Sequence, residues 1–253
     1  MSDEQIDVLA IAAHPDDVEL CAGGTICSLT ASGKSVAIVD LTRGEMGTRG
    51  TVAIREREAQ RAAEIMAVRH RVNLGIPDGD IQNTKANQLL LIEAIRRFRP
   101  HIALISSPTC RHPDHADASA LSISSFFYSG LEKIETTRGG MRQRPWRPAH
   151  VLHYMQSVPF IPTLVVDVSH VWEQRMQALL AYESQFHSTA YKEKAEESET
   201  YISNPDFLAW VEARARTYGY PTGARFGEPF LYHNGPIGTA DLSDMLKTSR
   251  QFR

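Results

Sequence analysis

The sequence predicts an α/β fold: a Rossmann-like, doubly wound, mainly parallel sheet in a single domain, with its active site at the carboxyl ends of the strands. Apolar runs of strand length alternate along the chain with longer amphipathic stretches, the pattern of successive βα units. A chain of 253 residues with 42% hydrophobic content can bury a full core, and an α/β chain of this length commonly forms one domain. Gly23-Gly24, shortly after the first run, allow a tight turn and close packing beside the first strand.

Strands are expected at 8–13, 36–41, 72–76, 102–107, 151–155 and 164–168. Helices are expected at 24–32, 55–68, 87–98, 115–128, 171–184 and 205–218. In the second helix Ile54, Ala62, Ile65, Met66 and Arg69 give a one-sided face among many charges. Arg99-Pro100 closes the third, because the residue before a proline is pushed out of the helical region. Residues 7–128 form a doubly wound half that carries the chemistry, and 129–253 add a loop, later strands and C-terminal helices. The stretch 129–147 holds Gly130, Gly139, Gly140 and Pro145 with several basic residues and little periodicity, and is expected to be a long loop. Together with 43–54 it is expected to wall the cleft. The charged run 192–200 is expected on the surface.

Several function classes drop out. A net charge of -3 offers no basic excess for a phosphate backbone, so no nucleic-acid partner is expected. Neither GxGxxG nor GxxxxGK[ST] follows the first strand, so no dinucleotide or triphosphate site is predicted. The polar residues 1–7 lack the basic and apolar regions of a secretion signal, and no run approaches the roughly 20 apolar residues of a membrane span. A cytoplasmic protein with no membrane partner is expected. Cys21, Cys27 and Cys110 are an odd number in a chain that needs no staples, and are expected as free thiols.

The chemistry lies at two strand ends. The first strand runs into Ala13-His14-Pro15-Asp16-Asp17, and the fourth is followed by His112-Pro113-Asp114-His115. Open parallel sheets bind ligands at that edge. A catalytic zinc commonly takes three nitrogen or oxygen ligands and leaves one position for water; His14, Asp17 and His115 would supply such a set. Beside it, Asp16 can take the proton of the bound water, His112 can donate to a developing oxyanion, and Asp114 can orient His112. Aspartates before helices also serve as N-caps, which explains each loop singly but not why both carry histidine. The same donor set accepts iron, cobalt or manganese.

AHPDD at 13–17 and HPDH at 112–115 resemble the LmbE-like (PIG-L) family of zinc-dependent N-deacetylases. So do DLTRGEMGTRGT at 40–51, IREREAQRAA at 54–63, IRRFRP at 95–100, VVDVS at 165–169, YESQF at 182–186 and FGEPF at 226–230. Within the family they look most like the N-acetylglucosaminyl-malate deacetylases of bacillithiol synthesis. The resemblance implies one Zn2+ per chain on His14, Asp17 and His115, with Asp16 as general base and His112 as the oxyanion's partner. It also implies a small N-acetylated sugar conjugate as substrate and a trimeric or hexameric homo-oligomer. The family's arginine at the position of Arg55 faces the substrate, and a guanidinium there would suit a malate carboxylate. Glu45 stands to contact sugar hydroxyls or to cap a turn. Arg43-Gly44-Glu45 departs from the run usual in the malate-conjugate enzymes. Cys110, with no free histidine and acid to activate it, is taken as a bystander, and His153, His170, His187 and His233 as ordinary packed or surface histidines.

Overall fold

The computed structural model describes residues 5–188, 191 and 197–236; part of the charged run, 192–196, lies outside the described residues. At the centre of the sheet β1 (Val8–Ala12) is flanked by β2 (Val36–Asp40) and β4 (Ile102–Ile105); β3 (His70–Asn73) lies beyond β2, and β7 (His150–Tyr154) beyond β4. All five are parallel. With β8 (Leu164–Asp167) and β9 (Gly227–Tyr232) they form a seven-stranded sheet in the order β3-β2-β1-β4-β7-β9-β8. The order reverses between β1 and β4, and these are the two strands followed by histidine motifs.

β1 and β2 are buried at every residue, on both faces, which is why their sequences are almost continuously apolar. Successive residues of β1 alternate between two core layers. Val8, Ala10 and Ala12 pack with residues of α1 (Asp17–Ala31), α2 (Val52–Ile65), α5 (Trp172–Leu180) and α6 (Pro205–Gly219). Leu9 and Ile11 face α3 (Lys85–Phe98) and α4 (Pro113–Ser129). Each fully buried leucine or isoleucine contributes about 1.5–3 kcal/mol. Behind the site a buried ion triad ties four elements together: Arg71 of β3 grips both oxygens of Asp40 at 2.7 and 2.8 Å, reaches Glu19 of α1 at 2.5 Å, and donates to Ala59 O of α2.

The structure departs from the expected elements at four places. α1 begins at Asp17, seven residues before the expected start, because Gly23 and Gly24 sit inside the helix and form no turn. A Cβ on Gly24 would lie 2.7 Å from that of Val168 and 3.0 Å from Glu228 Oε1. The bare backbone lets Glu228 accept from the N–H groups of Gly24 (2.8 Å) and Thr25 (2.7 Å). β3 ends at Asn73, since Gly75, at φ 67°, turns the chain out of the sheet. β9, unforeseen from sequence, lies antiparallel between β7 and β8. Its Pro229 carbonyl accepts the Met155 N–H just past the end of β7 (3.3 Å), and Arg214 supplies the Met155 carbonyl with the bond that a proline cannot donate (3.4 Å).

The segment 129–147 is neither a loop throughout nor a wall of the cleft. It contains a hairpin, β5 (Thr137–Arg138) with β6 (Met141–Arg142), turning on Gly139 and Gly140 at φ 57° and 78°. The 17 residues of α4 carry the chain from the site to the opposite end of the sheet. There Trp146 Nε1 bonds the Pro100 carbonyl, before β4, and the buried Arg96 bonds the carbonyls of Ser129, Leu131 and Ile134. No described helix is long and apolar enough to cross a membrane.

Gly24→Ala should destabilise the fold by about 1–3 kcal/mol through overpacking against Val168 and Glu228, read from the midpoint of urea unfolding. An unchanged midpoint would mean that the strand pair can move off α1 without cost.

Candidate active site

Five loops meet at the carboxyl edge of the sheet, following β1, β2, β3, β4 and β7. The loop after β1 is bent by Asp16, which adopts φ 121° and ψ -25°. A side-chain-bearing residue rarely takes that conformation, and holding it costs about 1–3 kcal/mol. Arg55, one turn into α2 and only 5% exposed, holds it there. One guanidinium nitrogen donates to the Pro15 carbonyl (2.8 Å) and to Asp16 Oδ2 (3.0 Å), the other to the Gly44 carbonyl (3.2 Å). Gly44, at φ 68°, has no room for a Cβ, which would collide with Arg55.

Past this bend, His14, Asp17 and His115 converge, with their ligand atoms all within 4.8 Å of one another. Asp17 Oδ2 accepts the His14 backbone N–H at 2.9 Å and lies 3.6 Å from His14 Nδ1. Its Oδ1 lies 3.1 Å from His115 Nε2 and accepts from Gln156 Nε2 at 3.1 Å. His14, His112 and Asp114 form a second, overlapping donor set on the far side of the His14 ring. His14 Nε2 is there 3.0 Å from Asp78 Oδ1 and 3.1 Å from Asp114 Oδ2.

The electrostatics are those of a cation site. Burial opposes charge on both imidazoles, but Asp114, Asp17 and Asp78 hold the His14 pKa well above the ordinary value, and Asp17 with Cys110 brings His115 to about 9. Although burial pushes the Asp17 carboxyl up, His115 and His14 hold it well below the usual carboxylate range. A divalent ion would compete with protons for the same lone pairs. Two imidazole nitrogens, a buried carboxylate and carboxylate partners behind them suit zinc or a similar ion.

Asp16 differs from Asp17. Burial raises it to about 7, with Arg55 pulling down and Asp17 pushing up, a value suited to accepting a proton near neutrality. His112 caps α4: its Nδ1 accepts the backbone N–H of Asp114 at 3.3 Å, which leaves Nε2 to carry the proton of the neutral ring. Burial, then the neighbouring His14 and His115, lower its pKa.

Two expectations, those for Asp114 and Cys110, are corrected. The Asp114 carboxylate does not hold the His112 ring; it bonds His14 Nε2 and the Gly79 N–H (2.9 Å), because the α4 backbone turns it toward β1. Arg55 has both terminal nitrogens bonded within the protein, to Pro15, Asp16 and Gly44, while its buried Nε has no hydrogen-bond partner. Cys110 is no bystander: its Sγ is 3.0 Å from His115 Nδ1, and although burial pushes the thiol up, the bonds to His115 and Ser157 bring it to about 6. Glu45 accepts the N–H groups of Arg43 (3.2 Å) and Asp78 (3.0 Å), stapling the loops after β2 and β3. Asp78 and Gln156 were not singled out from sequence. Each follows a strand at the same sheet edge, but Pro77-Asp78-Gly79 looks like an ordinary turn.

Beside His112 and His115 opens a narrow cleft of about 70 Å³. Its far wall is formed by Tyr201, Phe207, Trp210 and Arg214 rather than by 129–147. A larger groove outside α2 shares Pro15 with the site but none of its histidines.

Residues 9–125 match the family model of the GlcNAc-PI de-N-acetylases (PIG-L). The diacetylchitobiose deacetylase of Thermococcus kodakarensis is 31% identical over 91% of this chain and 86% of its own length. A probable N-acetyl-alpha-D-glucosaminyl L-malate deacetylase of Bacillus anthracis is 26% identical, covering 81% of this chain and 91% of that protein. Among solved structures, the conserved protein TT1542 of Thermus thermophilus superposes with a TM-score of 0.81 at 34% identity, over 94% of this chain and 99% of that one.

Arg55→Gln should raise the Asp16 pKa by about one unit or more, each unit being about 1.4 kcal/mol, as followed by carboxyl carbon NMR titration of the metal-free protein. A constant pKa would remove Arg55 from control of Asp16.

Proposed function

The chain belongs to the GlcNAc-PI de-N-acetylase (PIG-L) family, and from that premise we propose that it hydrolyses the N-acetyl group of an N-acetylglucosamine conjugate at a metal centre of His14, Asp17 and His115. The observation that carries the proposal is the convergence of those three donors beside a buried carboxylate and a neutral histidine at the mouth of one cleft. A zinc ion held there would polarise the amide carbonyl and acidify water.

The rest falls to the chain's own side chains. Asp16, held by Arg55 and poised near neutrality, receives the proton of the attacking water. His112 directs its Nε2–H at the oxygen on which negative charge develops. As the C–N bond breaks, the proton on Asp16 passes to the departing nitrogen, leaving acetate and a free amine. Asp78 and Asp114 keep His14 in place during the cycle.

The substrate is proposed at the level of the N-acetylglucosamine unit. A malate conjugate and diacetylchitobiose both carry that unit, and each is named by one of the two relatives. The relative named for diacetylchitobiose is the more identical of the two and covers more of the chain. The two compounds are the ones to run against each other.

With zinc-loaded protein and a panel of N-acetylglucosamine, diacetylchitobiose and N-acetylglucosaminyl-malate, free amine should appear from at least one member. Release from none would overturn the proposal. Asp16→Ala should keep the metal and lose about 10²–10⁴ in kcat, and His112→Ala a comparable factor. Undiminished turnover in either variant would strip that residue of its role.

A further inference from the structure

Each histidine proposed as a metal ligand has a second ring nitrogen, and the two are held by different chemistry. His14 turns Nδ1 toward Asp17 and Nε2 toward Asp78 and Asp114, at 3.0 and 3.1 Å. His115 turns Nε2 toward Asp17, at 3.1 Å, and Nδ1 toward Cys110 Sγ, at 3.0 Å. Metal-bound imidazoles almost always donate their outer N–H to a carboxylate, a backbone carbonyl or water. His14 follows that rule, and His115 meets sulfur.

The sulfur is fixed by a second loop. Ser157 Oγ, after β7, lies 3.0 Å from Cys110 Sγ and accepts the backbone N–H of Arg111 at 3.0 Å. Sγ is thus set between one polar group of the neighbouring loop and one ring nitrogen of His115. A neutral imidazole carries one N–H and one lone pair. For Nε2 to offer its lone pair beside Asp17, the proton must reside on Nδ1, where Cys110 stands ready to accept it. Cys21 and Cys27 are sealed in the core and share none of this.

We propose that Cys110 is a positioning residue of the metal centre, its sulfur accepting the Nδ1–H of His115 and so fixing the tautomer and ring plane that present Nε2 to the ion. This rests on the assignment of His14, Asp17 and His115 as ligands. It makes His115 the less firmly seated histidine, because sulfur is a weaker acceptor than the carboxylate pair behind His14.

The test measures Zn2+ and Co2+ dissociation constants by chelator competition, without substrate. Cys110→Ala should weaken binding about 10- to 100-fold, the usual loss for an outer partner of a metal-bound histidine. It should also shift the visible bands of the Co2+ protein, while Cys110→Ser, whose hydroxyl can accept the same N–H, recovers most of the affinity. An alanine variant with wild-type affinity and an unshifted cobalt spectrum overturns the proposal. A readout that needs no variant is long-range ¹H–¹⁵N NMR of the zinc-loaded wild-type chain, which should place the His115 proton on Nδ1; a proton on Nε2 overturns it equally. Wild-type protein that binds neither ion defeats the ligand assignment itself, whereas tight binding in both wild type and Cys110→Ala defeats the Cys110 proposal alone.

Discussion

Arg55 reaches back 39 residues in sequence to close on Asp16 and the Pro15 carbonyl, and the site takes its shape from that closure. The β1–α1 loop must reverse sharply if His14 and Asp17, three residues apart, are to face one point. The reversal falls on a residue whose side chain disfavours it, and a buried guanidinium offsets the strain with charge-assisted bonds. The same contact sets the chemistry, because it moderates the rise that burial alone would give the Asp16 carboxyl. Geometry and protonation are thus governed by one contact, and Gly44 is bare so that the guanidinium can fit.

Much of this was legible in the sequence because it is written in strong local signals. Val8-Leu9-Ala10-Ile11-Ala12 is apolar without alternation because both faces of β1 are covered. The two HPD tripeptides mark the strands on either side of the reversal in strand order. What escaped depends on contacts between distant segments. Gly23-Gly24 has the composition of a turn, and only the approach of Val168 and Glu228 explains glycine inside a helix. Gly227 and Pro229 have the composition of a break, and only the reach of Arg214 to the Met155 carbonyl makes up the bond that the proline cannot donate. Arg55 was marked for a substrate, and its pairing with the protein's own Asp16, set by how α2 lies across the loop after β1, was not foreseen.

The histidines illustrate the same division. Their identity as a cluster follows from motif and strand order, whereas the nitrogen each presents follows from what stands behind it. Asp114 was expected behind His112 and stands behind His14. The start of α4 makes His112 the cap and turns Asp114 toward β1, which satisfies both residues with a single backbone geometry. Asp78 joins Asp114 from a different loop, and the two carboxylates meet on one ring nitrogen.

The transit of α4 from one end of the sheet to the other separates chemistry from attachment. A helix of 17 residues spans about 25 Å, so Ser129 at its end lies about that far from Pro113 at its start, and the Gly139-Gly140 turn follows ten residues on. A fluorophore, an affinity handle or a tether to a solid support placed at that turn would leave the cleft mouth unobstructed. The hairpin is a natural point at which to immobilise the protein or join it to another.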